Sequence, residues 1–252
     1  MARPVFGKTY KEITKEWDEI ALVRLNQIEN GQDLSFTHVI TPCIFEMLSG
    51  CDLSKVIDLG CGTGALTRMI AQKAKHVIGI DISKRNVELA QNASTTFSNI
   101  DYINIDIESL SSKFIEASFS TVVASMTLMT VLNLDQVLQI IAKILKPRAH
   151  LVFTITHPCF WPLYWNYAKE QWFNYHKEIP VEADFKISLD RKERGVTTHI
   201  HRPLEKYVNS LTEAGFSIEK IYEPVPSEEI QEKYSGKWEY PRFMGIKCIL
   251  TN

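Results

Sequence analysis

The sequence predicts an α/β fold, a doubly wound and mostly parallel sheet with helices packed on both faces. Three observations carry that expectation. Between residues 55 and 156, short apolar runs alternate with helix-like patterns. Val56–Leu59 passes directly into Gly60-Cys61-Gly62-Thr63-Gly64, a turn with glycine at every second position. Three successive runs close on an acid: Asp58, Asp81 and Asp106. Repeated strand–helix units of this length feed right-handed crossovers and so build a parallel sheet.

Residues 1–50 read as a helical cap. Ile13, Trp17, Ile20, Ala21 and Leu25 recur close to helical spacing over 11–28, Gly31 and Asp33 punctuate the chain, and 39–48 is a second short helical pattern. Next come a buried strand over 56–59, a helix over 65–73 with Leu66, Met69 and Ile70 on one face, and a strand over 76–80. Ser83 caps a helix over 84–92. Strands over 101–105 and 120–125 follow, then a helix over 134–145 with Val137, Leu138, Ile141 and Leu145 in phase. Lys146-Pro147 ends that helix, and 150–156 is the fifth strand.

The alternation breaks at His157-Pro158. Residues 159–198 are too long for an ordinary connection and carry Phe160, Trp161, Tyr164, Trp165, Tyr167, Trp172, Phe173 and Tyr175. The second half, KEIPVEADFKISL and RGVTTHIH, alternates as a hairpin would. Regular order returns at Pro203, with a helix over 204–214 capped by Gly215 and strands over 216–222 and 243–250. One domain over 1–252 is expected, with the aromatic insert of residues 157–202 as a lid over the substrate.

Composition narrows the function. The chain has 252 residues, 45% of them apolar and 23% charged, with a formal net charge of −2. No global field favours nucleic acid or an anionic membrane. No apolar stretch reaches the roughly 18 residues of a bilayer span, and the N-terminal stretch lacks the apolar core of a signal peptide. The cysteines Cys43, Cys51, Cys61, Cys159 and Cys248 are scattered and never spaced Cys-x-x-Cys. That pattern argues against a disulfide framework or a metal site, and a reducing cytoplasm is the expected location.

The glycine turn indicates what is bound. Its spacing is Gly-x-Gly-x-Gly, not the Gly-x-Gly-x-x-Gly of dinucleotide sites. Asp58, two residues before the first glycine, would repel a pyrophosphate but suits a cationic ligand without phosphate. S-adenosylmethionine meets that description. Asp81 follows Gly64 by 17 positions, near the spacing at which an acid meets a ribose diol.

The segments VIDLGCGTG, IGIDIS, INIDIE and FSTVVASMTLMTV, followed by LQIIAKILKPRAHLVFTITHP, resemble the successive motifs of class I S-adenosylmethionine-dependent methyltransferases. The closest texture is the small-molecule branch related to the ubiquinone and menaquinone biosynthesis methyltransferases. The resemblance covers about residues 50–156 and returns in PLEKYVNSLTEAGFSIEKIYEP. It implies a seven-stranded Rossmann-like sheet with an antiparallel last strand. It also implies S-adenosylmethionine as cofactor and S-adenosylhomocysteine as product. By the same resemblance Gly60, Cys61, Gly62 and Gly64 pass the methionine and ribose portions, and Asp58 serves the amino end. Asp81 holds the ribose hydroxyls with Ile82 on adenine, and Asp106 faces the adenine amine with Ile107 beside it. Ser125 and Met126 line the methionine side, and Tyr10 and Trp17 close the site. Two departures stand out. Met129-Thr130 replaces a segment that often carries histidine, and Arg148-Ala149 replaces the usual glycine pair, which is expected to alter loop shape only.

Methyl transfer from a sulfonium needs mainly proximity and alignment. A base helps only where the nucleophile must lose a proton. His157, directly after the fifth strand, is the candidate base, ahead of His199 and His201. Trp161, Tyr164, Trp165 and Trp172 are candidate contacts to a flat or apolar acceptor. Arg202, with Arg191 and Arg194, is a candidate for an acidic group on it. The expected partner is a small-molecule acceptor methylated at oxygen or nitrogen, with the chain a monomer or homodimer. An RNA or protein methyltransferase, and a non-catalytic S-adenosylmethionine-binding or scaffolding module, are the alternatives.

Overall fold

The computed structural model describes residues 2–190, 192 and 195–251. In chain order the N-terminal part comprises β1 (Arg3–Pro4), α1 (Tyr10–Glu29), a π-helical turn (Phe36–Ile40) and α2 (Thr41–Leu48). The alternating part comprises β2 (Val56–Leu59), α3 (Ala65–Ala71), β3 (Val77–Asp81), α4 (Lys84–Ala93), β4 (Ile100–Asn104), α5 (Leu110–Lys113), β5 (Phe119–Ser125), α6 (Leu134–Ile144) and β6 (Leu145–Thr156). The insert holds α7 (Trp161–Tyr164), β7 (Ile179–Asp184) and β8 (Val196–His201). The chain closes with α8 (Leu204–Glu213), β9 (Phe216–Tyr222), α9 (Glu228–Gln231) and β10 (Phe243–Leu250).

The main sheet has the order β4-β3-β2-β5-β6-β10-β9. β2 through β6 pair in parallel, and β10 runs antiparallel to both β6 and β9. This is the expected seven-stranded arrangement with its last strand reversed. Every residue of β2 and β3 is buried, as strands covered on both faces must be. Ile57, Leu59, Val122 and Phe153 pack on one side against α6 and α8, with Val137, Ile141 and Leu211. Val56, Val77, Val123 and Val152 pack on the other against α2 and α3, with Ile44, Met47 and Ile70.

Local signals set the boundaries. Thr9 and Glu12 form a capping box at the start of α1, Ser83 accepts the Asn86 amide at α4, and Asn133 accepts the Gln136 amide at α6. Within β6, just after Lys146-Pro147, Arg148 sits at φ 60°. That is the left-handed conformation for which glycine is favoured, and it falls where the pairing of β6 with β5 shifts register.

The hairpin read in the insert is present, with β7 and β8 antiparallel from Ile179↔His201 to Asp184↔Val196. β1, for which the sequence carries no signal, adds to β7 through Arg3↔Glu182 and Pro4↔Val181. The N-terminal segment and the insert therefore share a three-stranded sheet above the main one. Among the described residues, no helix is long and apolar enough to cross a membrane.

Candidate active site

The strand order reverses between β2 and β5, and in open parallel sheets the crevice at the carboxyl edge of such a point takes the ligand. A cavity of about 330 Å³ opens there, within the range of small-molecule sites. Its floor is the glycine turn and the ends of β2, β3 and β5. Its roof is α1 and the insert.

Asp58, at the end of β2, is buried and lines the cavity. The Thr67 hydroxyl donates to it at 2.6 Å. Burial pushes its carboxyl up to about 7, against the pull of that hydrogen bond and with a further push from Asp81. A buried carboxylate with a single hydroxyl for company is poorly stabilised unless a cation joins it.

Asp81 is held by backbone. Its Oδ2 accepts the Gly62 amide at 2.9 Å and its Oδ1 the Ser83 amide at 2.8 Å. Burial raises its pKa, and these amides oppose the rise. The glycine turn and the β3 acid are thus one unit. Asp106 caps the turn after β4, accepting the Glu108 amide at 3.0 Å. Ile82, Asp106 and Ile107 all line the cavity.

The glycines differ in what they do. All three have positive φ, Gly60 at 65°, Gly62 at 54° and Gly64 at 76°. A Cβ on Gly60 would meet Thr127 at 2.4 Å, and one on Gly64 the Tyr102 hydroxyl at 2.4 Å. A Cβ on Gly62 would meet no protein atom within 4 Å. Gly60 and Gly62 line the cavity and Gly64 does not. Only Gly62 leaves open space for a ligand; Gly64 serves protein packing. Cys61 also lines the cavity, and burial raises the pKa of its thiol, which stays protonated.

Ser125 and Met126 line the β5 side. Met126 sits at φ 55°, a conformation that a non-glycine residue adopts only under constraint. Its amide donates to the Thr154 carbonyl at 2.8 Å, which supplies that constraint. Tyr10 spans the mouth. Its hydroxyl donates to Glu108 at 2.6 Å and accepts the Leu132 amide at 3.0 Å. Trp17 lines the roof and packs edge-on against Phe185.

From the insert, Trp161, Tyr164, Trp165 and His199 line the cavity. Trp161 and Trp165 stack with centroids 5.1 Å apart. Other expected site residues lie elsewhere. His157 is outside the cavity wall. Its Nε2 is 2.8 Å from Glu223, its Nδ1 accepts the Cys159 amide, and burial lowers its pKa. With both ring nitrogens engaged it fastens the start of the insert and does not face an acceptor. Trp172 stacks on Tyr167 in a separate small core. Arg202 is fully buried, donating to Glu178 at 2.6 Å and to the carbonyls of Leu128, Val131 and Leu132. That fastens the end of the insert to the loop after β5, and leaves no face for a substrate. Arg191 and Arg194 lie outside the described residues.

The cavity also contains residues that the sequence did not mark. Arg24, on α1, pairs with Asp33 at 2.7 Å. Arg242, just before β10, lies 3.7 Å from the Tyr164 ring and 4.2 Å from the Trp238 ring. Residues 223–242 carry no regular pattern, so nothing in the sequence brings Arg242 to the roof. Arg24 falls on the inner face of an amphipathic helix, and that periodicity is the one signal that could have found it. Among the described residues, no group of His, Cys, Asp or Glu is placed to hold a metal ion.

A family profile described as "Methyltransferase domain" matches residues 52–203. The chain belongs to that family. A demethylmenaquinone methyltransferase of Tropheryma whipplei is 36% identical over 160 residues, 61% of this chain and 63% of the relative. A ubiquinone biosynthesis O-methyltransferase of Idiomarina loihiensis is 33% identical over 141 residues, 56% and 51% of the two chains. The match thus spans less than two thirds of these relatives' own length. Among solved structures, a putative S-adenosylmethionine-dependent methyltransferase from Listeria monocytogenes superposes with a TM-score of 0.67 at 23% identity. It covers 83% of this chain and 95% of its own.

Proposed function

We propose that this chain is an S-adenosylmethionine-dependent methyltransferase acting on oxygen or nitrogen of a small aromatic or apolar molecule. The observation that carries this reading is Asp58, a buried carboxylate in the cavity wall without a cationic partner among the described hydrogen bonds and ion pairs, beside a glycine whose Cβ position is open. The residues fit the cofactor. Asp58 suits its ammonium group, Asp81 the ribose diol with Ile82 against adenine, and Asp106 the adenine amine. Gly62 lets the methionine portion pass the backbone. Bound there, the cofactor supplies an electrophilic methyl group on a sulfonium leaving group.

The chain's own residues then align and shield. Tyr10 and Trp17 close the cavity from α1. Trp161, Tyr164 and Trp165 give the acceptor flat apolar walls, which suits a planar molecule and disfavours water. The insert thereby serves as the substrate lid of one domain, capped by residues 1–50. The family relationship supports a small-molecule acceptor, and the chain's weak net charge is no help to an RNA substrate. A cytoplasmic enzyme fits the scattered thiols. The test is a screen of small phenols, amines and carboxylic acids for S-adenosylhomocysteine release. Turnover on one of them supports the reading. Tight cofactor binding with no turnover on any acceptor would favour a binding module.

A further inference from the structure

His199 sits on β8 opposite Val181 of β7 and lines the cavity from the roof. Its Nε2 is 3.1 Å from the Tyr167 hydroxyl. Tyr167 is sealed among Trp172 and Phe173, and its hydroxyl has no other hydrogen-bond partner among the described residues. A buried phenol with one neighbour gives its hydrogen to that neighbour, since the opposite arrangement would strand the O–H. Nε2 is then the acceptor, and a neutral imidazole carries its hydrogen on Nδ1. Nδ1 has no protein partner among the described residues. Beside this ring, edge-on at 6.3 Å, lies Trp161, whose indole N–H is buried without a partner. His199 and Trp161 thus both line the cavity, and each carries a ring nitrogen without a protein partner among the described residues.

The surroundings keep the imidazole neutral. Burial, with His201 beyond it, holds its pKa down to about 3. Behind it Arg202 is matched by Glu178 at 2.6 Å. Glu16 on α1 accepts from Thr198 rather than from the ring. Asp184 and Lys186, further along the hairpin, lie 3.4 Å from each other.

Resting on the methyl-transfer reading of the cavity, we propose that His199 is a neutral hydrogen-bond donor to the methyl acceptor, held in that tautomer by Tyr167. With the Trp161 indole, it selects molecules that present a carbonyl, carboxylate or phenolate oxygen over those that present an ammonium. His199 is thereby a specificity residue and not the base that removes a proton.

The test uses the full chain saturated with S-adenosylhomocysteine, with benzoate and benzylamine as probes of like size. Nitrogen-15 spectra of the histidines are expected to show His199 protonated on Nδ1 and not titrating between about pH 5.5 and 8.5. Tyr167→Phe is expected to release the tautomer into a mixture. Benzoate is expected to bind about tenfold or more tighter than benzylamine. His199→Phe and Tyr167→Phe should each narrow that gap, by the worth of about one hydrogen bond to a charged group. An Nε2-protonated His199, titration of the ring in that window, or no preference for benzoate overturns the proposal. Failure of S-adenosylhomocysteine to bind in the same samples would instead strike the cofactor reading.

Discussion

Glu16 of α1 accepts both the amide and the hydroxyl of Thr198 on β8, each at 2.9 Å. Residues 182 positions apart are thereby joined, and the N-terminal helix and the aromatic insert become one roof. Lys8 adds to the joint by pairing with Glu16 at 2.5 Å and Glu182 at 3.0 Å. Glu16→Ala strands the Thr198 donors and leaves Lys8 paired with Glu182. A loss of about 3 kcal/mol in unfolding free energy is expected, read by urea denaturation. Faster amide exchange is expected over residues 196–201, with little change over 56–59.

The glycine turn gives a test that separates packing from binding. Gly60→Ala and Gly64→Ala each drive a Cβ to 2.4 Å from a side-chain atom at positive φ. Each is expected to lose about 3 kcal/mol of stability. Gly62→Ala meets no protein atom and should lose only about 1 kcal/mol. Even so, it is expected to bind the cofactor far more weakly than its stability would suggest. Thermal melts with and without S-adenosylmethionine compare the three directly.

Asp58 predicts a pH dependence. Burial raises its carboxyl from the ordinary carboxylate range to about 7. The folded chain therefore holds a proton there that the unfolded chain has already released. This group's contribution to stability is full below the unfolded value, near pH 4, and is lost as pH rises toward 7. A cationic ligand requires the ionised form, so affinity for S-adenosylmethionine should rise about tenfold per unit up to pH 7 and then level off. Calorimetric titrations between pH 5.5 and 8.5 measure it. Asp58→Asn should flatten the profile, and an unchanged slope in that variant would remove Asp58 from the role.

Arg202 predicts a structural phenotype. Its guanidinium holds the loop after β5 through the carbonyls of Leu128, Val131 and Leu132. Arg202→Met leaves those carbonyls without their donor and Glu178 with Lys206 at 3.8 Å, and a loss of about 3–5 kcal/mol is expected. Where the variant folds, its ranking of acceptors should match that of the parent chain. A changed ranking at unchanged stability would return Arg202 to the substrate site.

The sheet was legible because its signals are local. A buried parallel strand is an apolar run, and a helix start is a capping side chain. The strands at 56–59, 216–222 and 243–250 fall where their patterns place them. Asp58, Asp81 and Asp106 were legible for the same reason, as acids at strand ends on one edge. The roof was not, because long-range partners build it. Nothing near Arg3 or Glu16 in sequence signals β7 or Thr198. His157 and Arg202 lie at the two ends of the insert, where position alone suggests chemistry. What assigns them to fastening is Glu223 and the three carbonyls, all more than sixty residues away. Trp172 fails likewise, since an aromatic residue in a lid and one in a small core look the same in sequence.

Asp58, Asp81 and Asp106 stand at the carboxyl edge of β2, β3 and β4 and line one cavity, as a sulfonium-cofactor site requires. Isothermal titration of the parent chain and of Asp81→Ala with S-adenosylmethionine and with NAD measures this site. One S-adenosylmethionine per chain is expected, with no measurable NAD binding and a loss on the order of 100-fold in Asp81→Ala from two charge-assisted hydrogen bonds. Binding of NAD in preference, or equal S-adenosylmethionine affinity in the two chains, would contradict it.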